Sequence, residues 1–244
     1  MKSILQIDIS NGTQWGDSNT SNFIRKVCIP SVKNYCMKYG YKHILINESV
    51  YERVNGKFDF FKQKPKHYAF ERYYHLNTNY DQSVYLDNDI YIFKDAEPLP
   101  LISGLMAVKE PYSETTKLFQ SINMLSDDYP YYNSGVLMCD KDNAINISNY
   151  MLERLSNYQR ARGKNTDNMM LNEYILHTLD KSFFQEIEFK WNYMPFLTNT
   201  KKIKNPNFYH FVGYLGSQVI SYIINNIKIE NLETYLLNTN FKYD

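Results

Sequence analysis

Ser83-Val-Tyr-Leu-Asp-Asn-Asp-Ile-Tyr-Ile-Phe93 decides how the rest of the chain is read. Ser83 to Leu86 is a short apolar run of strand type, and it breaks on Asp87, Asn88 and Asp89 before a second strand-like run, Ile90 to Phe93. Side chains two apart on an extended chain point the same way, so the carboxylates of Asp87 and Asp89 can face one point. In open α/β sheets, ligands collect beyond the carboxyl ends of the strands. Two acidic oxygens there suit a hard divalent ion such as Mn²⁺ or Mg²⁺. Without a cation, an acidic pair beside a buried strand is costly. The plainer alternative is a turn that Asp87 merely starts.

Outward from this stretch the chain alternates between strand and helix patterns. Ser3 to Ile9 reads as a first strand and Ser10 to Asn22 as a polar loop. From Phe23 to Tyr39 the apolar residues Ile24, Val27, Cys28, Val32, Tyr35, Cys36 and Tyr39 recur at helical spacing. Pro30 should kink that helix or mark its start, and Gly40 should cap it. Tyr41 to Ile46 is a second strand, so the opening is a parallel βαβ unit. Tyr51 to Lys66 is a polar, basic excursion, after which a helix begins at Pro65 and runs to about Leu76. Leu105 to Lys109 and Tyr132 to Cys139 read as further strands. Asn143 to Arg160 and Asp167 to Thr178 read as helices, with one or two more from Ser217 onward. The fold class is therefore α/β: a mostly parallel sheet flanked by helices, with a small antiparallel element carrying the acidic motif. We read residues 1–244 as one domain, with a nucleotide-binding half to about residue 110 and an acceptor-binding half beyond it.

Composition excludes several classes. The 244 residues carry a net charge of +1, which gives no electrostatic basis for nucleic-acid binding. No apolar stretch approaches the ~18 residues of a membrane span. Met1 to Ile9 reads as a strand, not a signal peptide. The three cysteines, Cys28, Cys36 and Cys139, have no metal-ligand or redox spacing, which points to reduced thiols and a cytoplasmic location, with peripheral membrane contact still open. Tyrosine is abundant, at 23 copies, from codon bias or from selection for sugar-stacking surfaces.

Other segments can carry chemistry. In Asn133-Ser134-Gly135, a residue without Cβ lets a ligand approach the backbone, and Asn133 offers both donor and acceptor groups; a plain turn has the same signature. His210, set between aromatics, is a core histidine or a Mn²⁺ ligand. Thr166 and Asp167 stand where a helix cap is needed.

These segments together resemble glycosyltransferase family 8, the retaining group of glycogenin and the bacterial lipopolysaccharide galactosyltransferases. Tyr85-Leu-Asp-x-Asp89 is similar to the family's donor-site motif, and Tyr132-Asn-Ser-Gly-Val-Leu137 to its aromatic-Asn-Ser-Gly-Val segment. Thr166-Asp-Asn-Met-Met-Leu-Asn172 resembles the Asp-Gln-x-x-Leu-Asn helix start, and Tyr209-His-Phe-Val-Gly213 the His-Phe-x-Gly segment. The resemblance spans roughly Arg72 to Gly213 and implies a GT-A-type fold and a metal-dependent glycosyltransferase of hexosyl type. It implies that Asp87, Asp89 and His210 hold Mn²⁺ or Mg²⁺, and that Asn133, Asp167 and Asn168 act at the donor sugar. Arg72, Asn88, Ser134, Gly135 and Gly213 join the donor site, with Asp8 and Asn11 near base and ribose. The partners it implies are a nucleotide-sugar donor, UDP-sugar favoured over GDP-sugar, and a glycan, lipid-linked saccharide or protein-linked sugar acceptor.

The chain departs from the family pattern in two places. After His-Phe-x-Gly the family continues to Lys-Pro-Trp, and its Lys grips the leaving diphosphate; here Tyr214, Leu215, Gly216 and Ser217 follow. Lysines of the stretches Lys201 to Lys204 or Lys62 to Lys66 are the candidates to replace it. The helix-start motif has Met169 where many members carry Asp. Two rivals stay open: a nucleotidyltransferase making nucleotide sugars, which needs a Gly-rich phosphate loop where Ile9-Ser-Asn-Gly-Thr13 has one Gly, and a degenerate sugar-binding relative.

Overall fold

The computed structural model describes residues 1–9, 18–49, 71–76, 79–111, 130–155, 166–197 and 202–239. The chain opens with β1 (Lys2–Ile7). A helical run follows, in the order α1 (Ser18–Phe23), a wider turn (Ile24–Cys28) and α2 (Ile29–Tyr39). Helix therefore begins at Ser18, inside the segment expected to be loop. Within the wide turn the Ile29 N–H reaches the Ile24 carbonyl, five residues back. Pro30 follows immediately, within the first turn of α2, where its missing N–H is tolerated. Gly40 caps α2 in the left-handed conformation, φ 69°.

β2 (Lys42–Ile46) then pairs in parallel with β1, as the strand–helix–strand order predicted. After α3 (Glu71–Leu76), β3 (Gln82–Leu86) lies parallel to β1 on its other side. β4 (Ile90–Ile92), β5 (Leu105–Lys109) and β6 (Tyr132–Asp140) follow. Asp140 accepts the Asn143 N–H at 2.9 Å, so α4 (Lys141–Leu155) starts two residues earlier than the apolar pattern suggests. Next come α5 (Thr166–His177), β7 (Phe184–Ile187), β8 (Phe208–His210), α6 (Gly213–Asn226) and α7 (Leu232–Asn238). Helix α6 begins at Gly213, ahead of the expected Ser217.

The central sheet has six strands in the order β2-β1-β3-β6-β5-β7. Its β1–β2, β1–β3 and β5–β7 pairings are parallel, and β6 runs antiparallel to both β3 and β5. The sheet is thus mixed, with parallel pairing in the majority. β6 belongs to the second half of the sequence yet lies between two strands of the first, so both halves share one sheet. β7 escaped the sequence reading because it is a four-residue edge strand whose middle residues, Gln185 and Glu186, are exposed. The antiparallel element expected beside the acidic motif is a separate two-stranded sheet of β4 and β8, with Ile90 opposite His210.

Alternation along the strands supplies two cores. Ile4, Val84, Val136 and Met138 pack with Val32, Tyr35 and Cys36 of α2. Their neighbours Leu5, Tyr85, Leu137 and Cys139 pack with Ala144, Ile147 and Met151 of α4 and with Met170, Leu171 and Tyr174 of α5. Each buried aliphatic side chain contributes about 1.5–3 kcal/mol. A third cluster joins Phe93, Tyr209 and Phe211 to Val219, Ile220 and Ile223 of α6. The three cysteines are buried and unpaired. Among the described residues, no helix is long and apolar enough to cross a membrane.

One side chain fixes α5 against the start of β6. Buried Asn172 accepts the Tyr132 N–H at 2.8 Å and donates to the carbonyls of Tyr132 at 2.9 Å and Asn168 at 2.7 Å. Replacing it with Leu strands buried backbone groups, which costs about 1–3 kcal/mol each. Urea or thermal denaturation of Asn172→Leu is expected to show a loss of at least that size; an unchanged midpoint would mean that packing, not these bonds, docks the helix.

Candidate active site

The acidic stretch lies where the chain leaves the central sheet for the small one. β3 ends at Leu86, and the Asp87 N–H bonds the Gly135 carbonyl of β6 at 2.8 Å. Two residues on, the Asp89 carbonyl accepts the Phe211 N–H at 3.2 Å, just past β8, while the Ile90 N–H closes the turn on the Asp87 carbonyl. The motif is therefore pinned to both sheets, and the pairing of Ile90 with His210 delivers the imidazole to it.

Asp87, Asp89 and His210 form one cluster, with ligand atoms all within 4.8 Å of one another. His210 Nε2 stands 3.3 Å from Asp89 Oδ1 and 3.6 Å from Asp87 Oδ2. Asp89 is 1% exposed, and among the described residues neither of its carboxylate oxygens has a hydrogen-bond partner. Burial pushes the Asp89 carboxyl above the usual carboxylate range, against the pull of His210. Burial weighs against a charged His210, but Asp89 and Asp87 outweigh it and hold the imidazole above its ordinary value. A buried carboxylate with bare oxygens, a second carboxylate and an imidazole make a donor set that fits a divalent cation. Gly135 makes room for it: a Cβ there would lie 2.3 Å from His210 Cε1 and 2.7 Å from Asp87 Oδ2.

Arg72 on α3 is buried beside this cluster. Its guanidinium lies 4.3 Å from the centre of the Tyr85 ring, donates to the Ser134 carbonyl at 2.6 Å and to Asp87 Oδ1 at 3.2 Å, and approaches Asp167 Oδ2 at 3.5 Å. Desolvation opposes its charge, yet Tyr85, Asp87 and Asp167 keep its pKa raised. Tyr85 also donates to Asp87 Oδ1 at 2.6 Å. At the start of α5, Asp167 accepts from Ser134 Oγ at 2.9 Å and Asn168 Oδ1 accepts the Ser134 N–H at 2.8 Å.

The structure thus brings Arg72, Asp87, Asp89, Asn133, Ser134, Gly135, Asp167, Asn168 and His210 into one connected site, and Asn88 is buried within its turn. Asn133 is less open than its sequence suggested, since its Oδ1 accepts from Gly135 N and Asn192 Nδ2 and its Nδ2 donates to Glu110. Asp8 stands at the same end of the sheet, but its carboxylate is held by Arg25 at 2.8 and 3.3 Å. Gly213 is exposed, opens α6 with φ 67°, and makes no contact in the cluster. Asn11, Lys62, Lys64, Lys66 and Lys201 lie outside the described residues. Lys202 and Lys204 are exposed, and the Lys202 ammonium is 3.4 Å from the Asn238 carbonyl. Sequence reasoning missed Tyr85 as a partner of Asp87, Glu110 at the end of β5, and Asn192. The last two follow an apolar strand and a tryptophan, a position that hints at burial and nothing more.

The family model described as Glycosyl transferase family 8 matches residues 27–215. Among solved structures, the chain resembles a glycosyltransferase involved in the glycosylation of the major capsid of PBCV-1. Their TM-score is 0.60 at 13% identity, over 92% of this chain and 98% of that one. It also resembles the galactosyltransferase LgtC, solved with donor and acceptor sugar analogs, with TM-score 0.56 and 14% identity over 96% and 99% of the two chains. The glycosyltransferase GlyE of Streptococcus pneumoniae TIGR4 gives TM-score 0.51 at 14% identity, over 93% and 64%. At these identities the likeness speaks to the fold, which is of the GT-A type. No curated protein sequence matches the chain.

The crowding at Gly135 yields a test. A methyl group there must displace His210 or Asp87, and a shift of about 1 Å at a reacting site can cost about 10²-fold in rate. Gly135→Ala is expected to lose activity to that extent while its circular dichroism stays that of the parent. Parental turnover in the variant would show that the close approach has no functional consequence.

Proposed function

The chain belongs to glycosyl transferase family 8 and is a glycosyltransferase, and on that premise we propose that it is metal-dependent and moves a hexosyl group from a nucleoside-diphosphate sugar, UDP-sugar first, to a hydroxyl of a glycan or lipid-linked acceptor. The observation that carries the reading is Asp89, buried with both carboxylate oxygens unbonded and facing Asp87 and His210. Charge supports it too. Among the described residues, the cluster and its neighbours set the carboxylates of Asp87, Asp89, Asp167 and Glu110 against the Arg72 guanidinium and the His210 imidazole. An anionic diphosphate would be repelled there without a counter-charge. Asp87, Asp89 and His210 would hold a Mn²⁺ or Mg²⁺ ion, which when bound supplies Lewis-acid neutralisation of the departing diphosphate.

The protein's own groups do the rest. Arg72 ties Asp87 to Ser134 and Asp167, so the acidic turn and the start of α5 face the donor as one wall. Asp167 and the remaining amide N–H of Asn133 orient the sugar hydroxyls. In transfer, the bond from the sugar C1 to the diphosphate oxygen breaks and its electron pair leaves with the diphosphate. The acceptor oxygen bonds C1, and its proton passes to the leaving phosphate. We favour attack from the same face, with retention, because Asn168, a weak nucleophile already, has its Oδ1 engaged by the Ser134 N–H.

Mn²⁺ with UDP at about 100 times its dissociation constant should stabilise the protein by about 2.7 kcal/mol, read as a thermal shift. Asp89→Asn should lose that shift and drop transfer or donor hydrolysis by about 10²–10³-fold, the scale of removing one partner of developing charge. Chelation should abolish turnover in the parent. Turnover indifferent to chelator, or undiminished in Asp89→Asn, sinks the metal reading; stabilisation without any turnover across a donor panel points to a sugar-binding role instead.

The family's diphosphate-gripping Lys is replaced here by Gly216-Ser217. We infer that lysines of 201–204 or 62–66 close over the diphosphate when the donor binds. Alanine replacement of the responsible cluster should lower turnover by about 10²-fold, on the same scale. If neither cluster changes donor affinity or turnover, the clamp does not exist.

A further inference from the structure

Four buried side chains from four separate segments form a chain that ends on the imidazole. Glu110, at the end of β5, accepts from Asn133 Nδ2 at 3.0 Å. Asn133 Oδ1 accepts from Asn192 Nδ2 at 3.0 Å, and Asn192 Oδ1 lies 2.8 Å from His210 Nδ1. Asn192 is wholly buried, and Asn133, Glu110 and His210 are all under 8% exposed. The backbone sets this approach, because the Tyr193 N–H bonds the Phe208 carbonyl and the His210 N–H bonds the Tyr193 carbonyl.

The direction of every bond follows from one backbone group. The Gly135 N–H, which can only donate, bonds Asn133 Oδ1 at 2.8 Å, so Asn133 turns its NH₂ toward Glu110. Asn192 must then donate to that oxygen, which leaves its own Oδ1 facing the ring. An amide oxygen can only accept, so His210 Nδ1 carries the proton. Nε2 is left pointing at Asp87 and Asp89.

We propose that Glu110, Asn133 and Asn192 are positioning residues that commit His210 to the Nδ1–H tautomer and hold its Nε2 lone pair on the point where Asp87 and Asp89 converge. This rests on the reading that these three residues hold a divalent cation. Without the chain, the imidazole can place its proton on Nε2 and present no ligand, or turn away. Partners that orient a ligating histidine typically change metal affinity by about 10–100-fold when removed.

The test uses the full chain and Mn²⁺ alone, titrated by electron paramagnetic resonance, with parent, Asn192→Leu and Asn192→Asp compared. Leu keeps the branching of Asn at Cγ, with greater bulk, and removes the acceptor; Asp keeps an acceptor for the Nδ1 proton. The proposal expects Mn²⁺ affinity to fall about 10–100-fold in Asn192→Leu, and to be better retained in Asn192→Asp. A purely structural role predicts the opposite order, because a buried carboxylate burdens the fold more than a leucine. Long-range ¹H–¹⁵N spectra of the Mg²⁺-loaded parent should show His210 protonated at Nδ1 and bare at Nε2, whatever the stability of the variants. The opposite tautomer, or undiminished Mn²⁺ affinity in Asn192→Leu, overturns the proposal while leaving the metal reading intact. A parent that binds no Mn²⁺ at all brings down the metal reading, and the proposal with it.

Discussion

The arrangement depends on one costly group, the carboxylate of Asp89. It is buried at the corner where the chain passes from the six-stranded sheet to the two-stranded one, and among the described residues neither of its oxygens has a hydrogen-bond partner beyond the approach of His210 at 3.3 Å. An isolated buried carboxylate is strongly disfavoured, and proteins tolerate one only beside a cation or a shared proton. The surroundings follow from that demand. His210 arrives from the opposing strand, Gly135 leaves no Cβ in the way, and Asp87 is positioned by its backbone bond to Gly135. The fold spends stability at this corner and recovers it in the dense packing on either side.

The second carboxylate is treated differently. Asp87 is partly open, and two groups from its own side of the sheet restrain Oδ1: the Tyr85 hydroxyl and the Arg72 guanidinium. Its Oδ2 faces His210. Arg72 lies against the Tyr85 ring and reaches Ser134 and Asp167, so a single buried cation links β3, β6 and the N-terminus of α5. Guanidinium geometry suits this task, since its several N–H donors lie in one plane and its charge persists when buried. One carboxylate is thus bare and one is braced.

Asp167 and Asn168 are held in the same way. Thr166 begins α5, and the first-turn side chains of Asp167 and Asn168 bond Ser134. Asn172, one turn on, clasps both backbone groups of Tyr132. Helix and strand are therefore in fixed register at the site.

The sequence by itself determined most of the elements and which segments could serve one site. Apolar alternation marked β1, β3 and β6, helical spacing marked α2, and the break at Asp87-Asn88-Asp89 marked the end of a buried strand. Those patterns are local, because burial within one strand or helix repeats with the period of that element. Asn133-Ser134-Gly135, Asp167-Asn168 and His210 were visible as segments able to serve one site. What only the tertiary structure decided was partnership. Nothing near Glu110 or Asn192 in sequence says that they address His210, because hydrogen-bond direction is set by which groups meet across elements 18 to 59 residues apart. Short, half-exposed β7 gave no period to read. Asp8, which the resemblance places near base and ribose, bonds Arg25, a neighbour that only packing supplies.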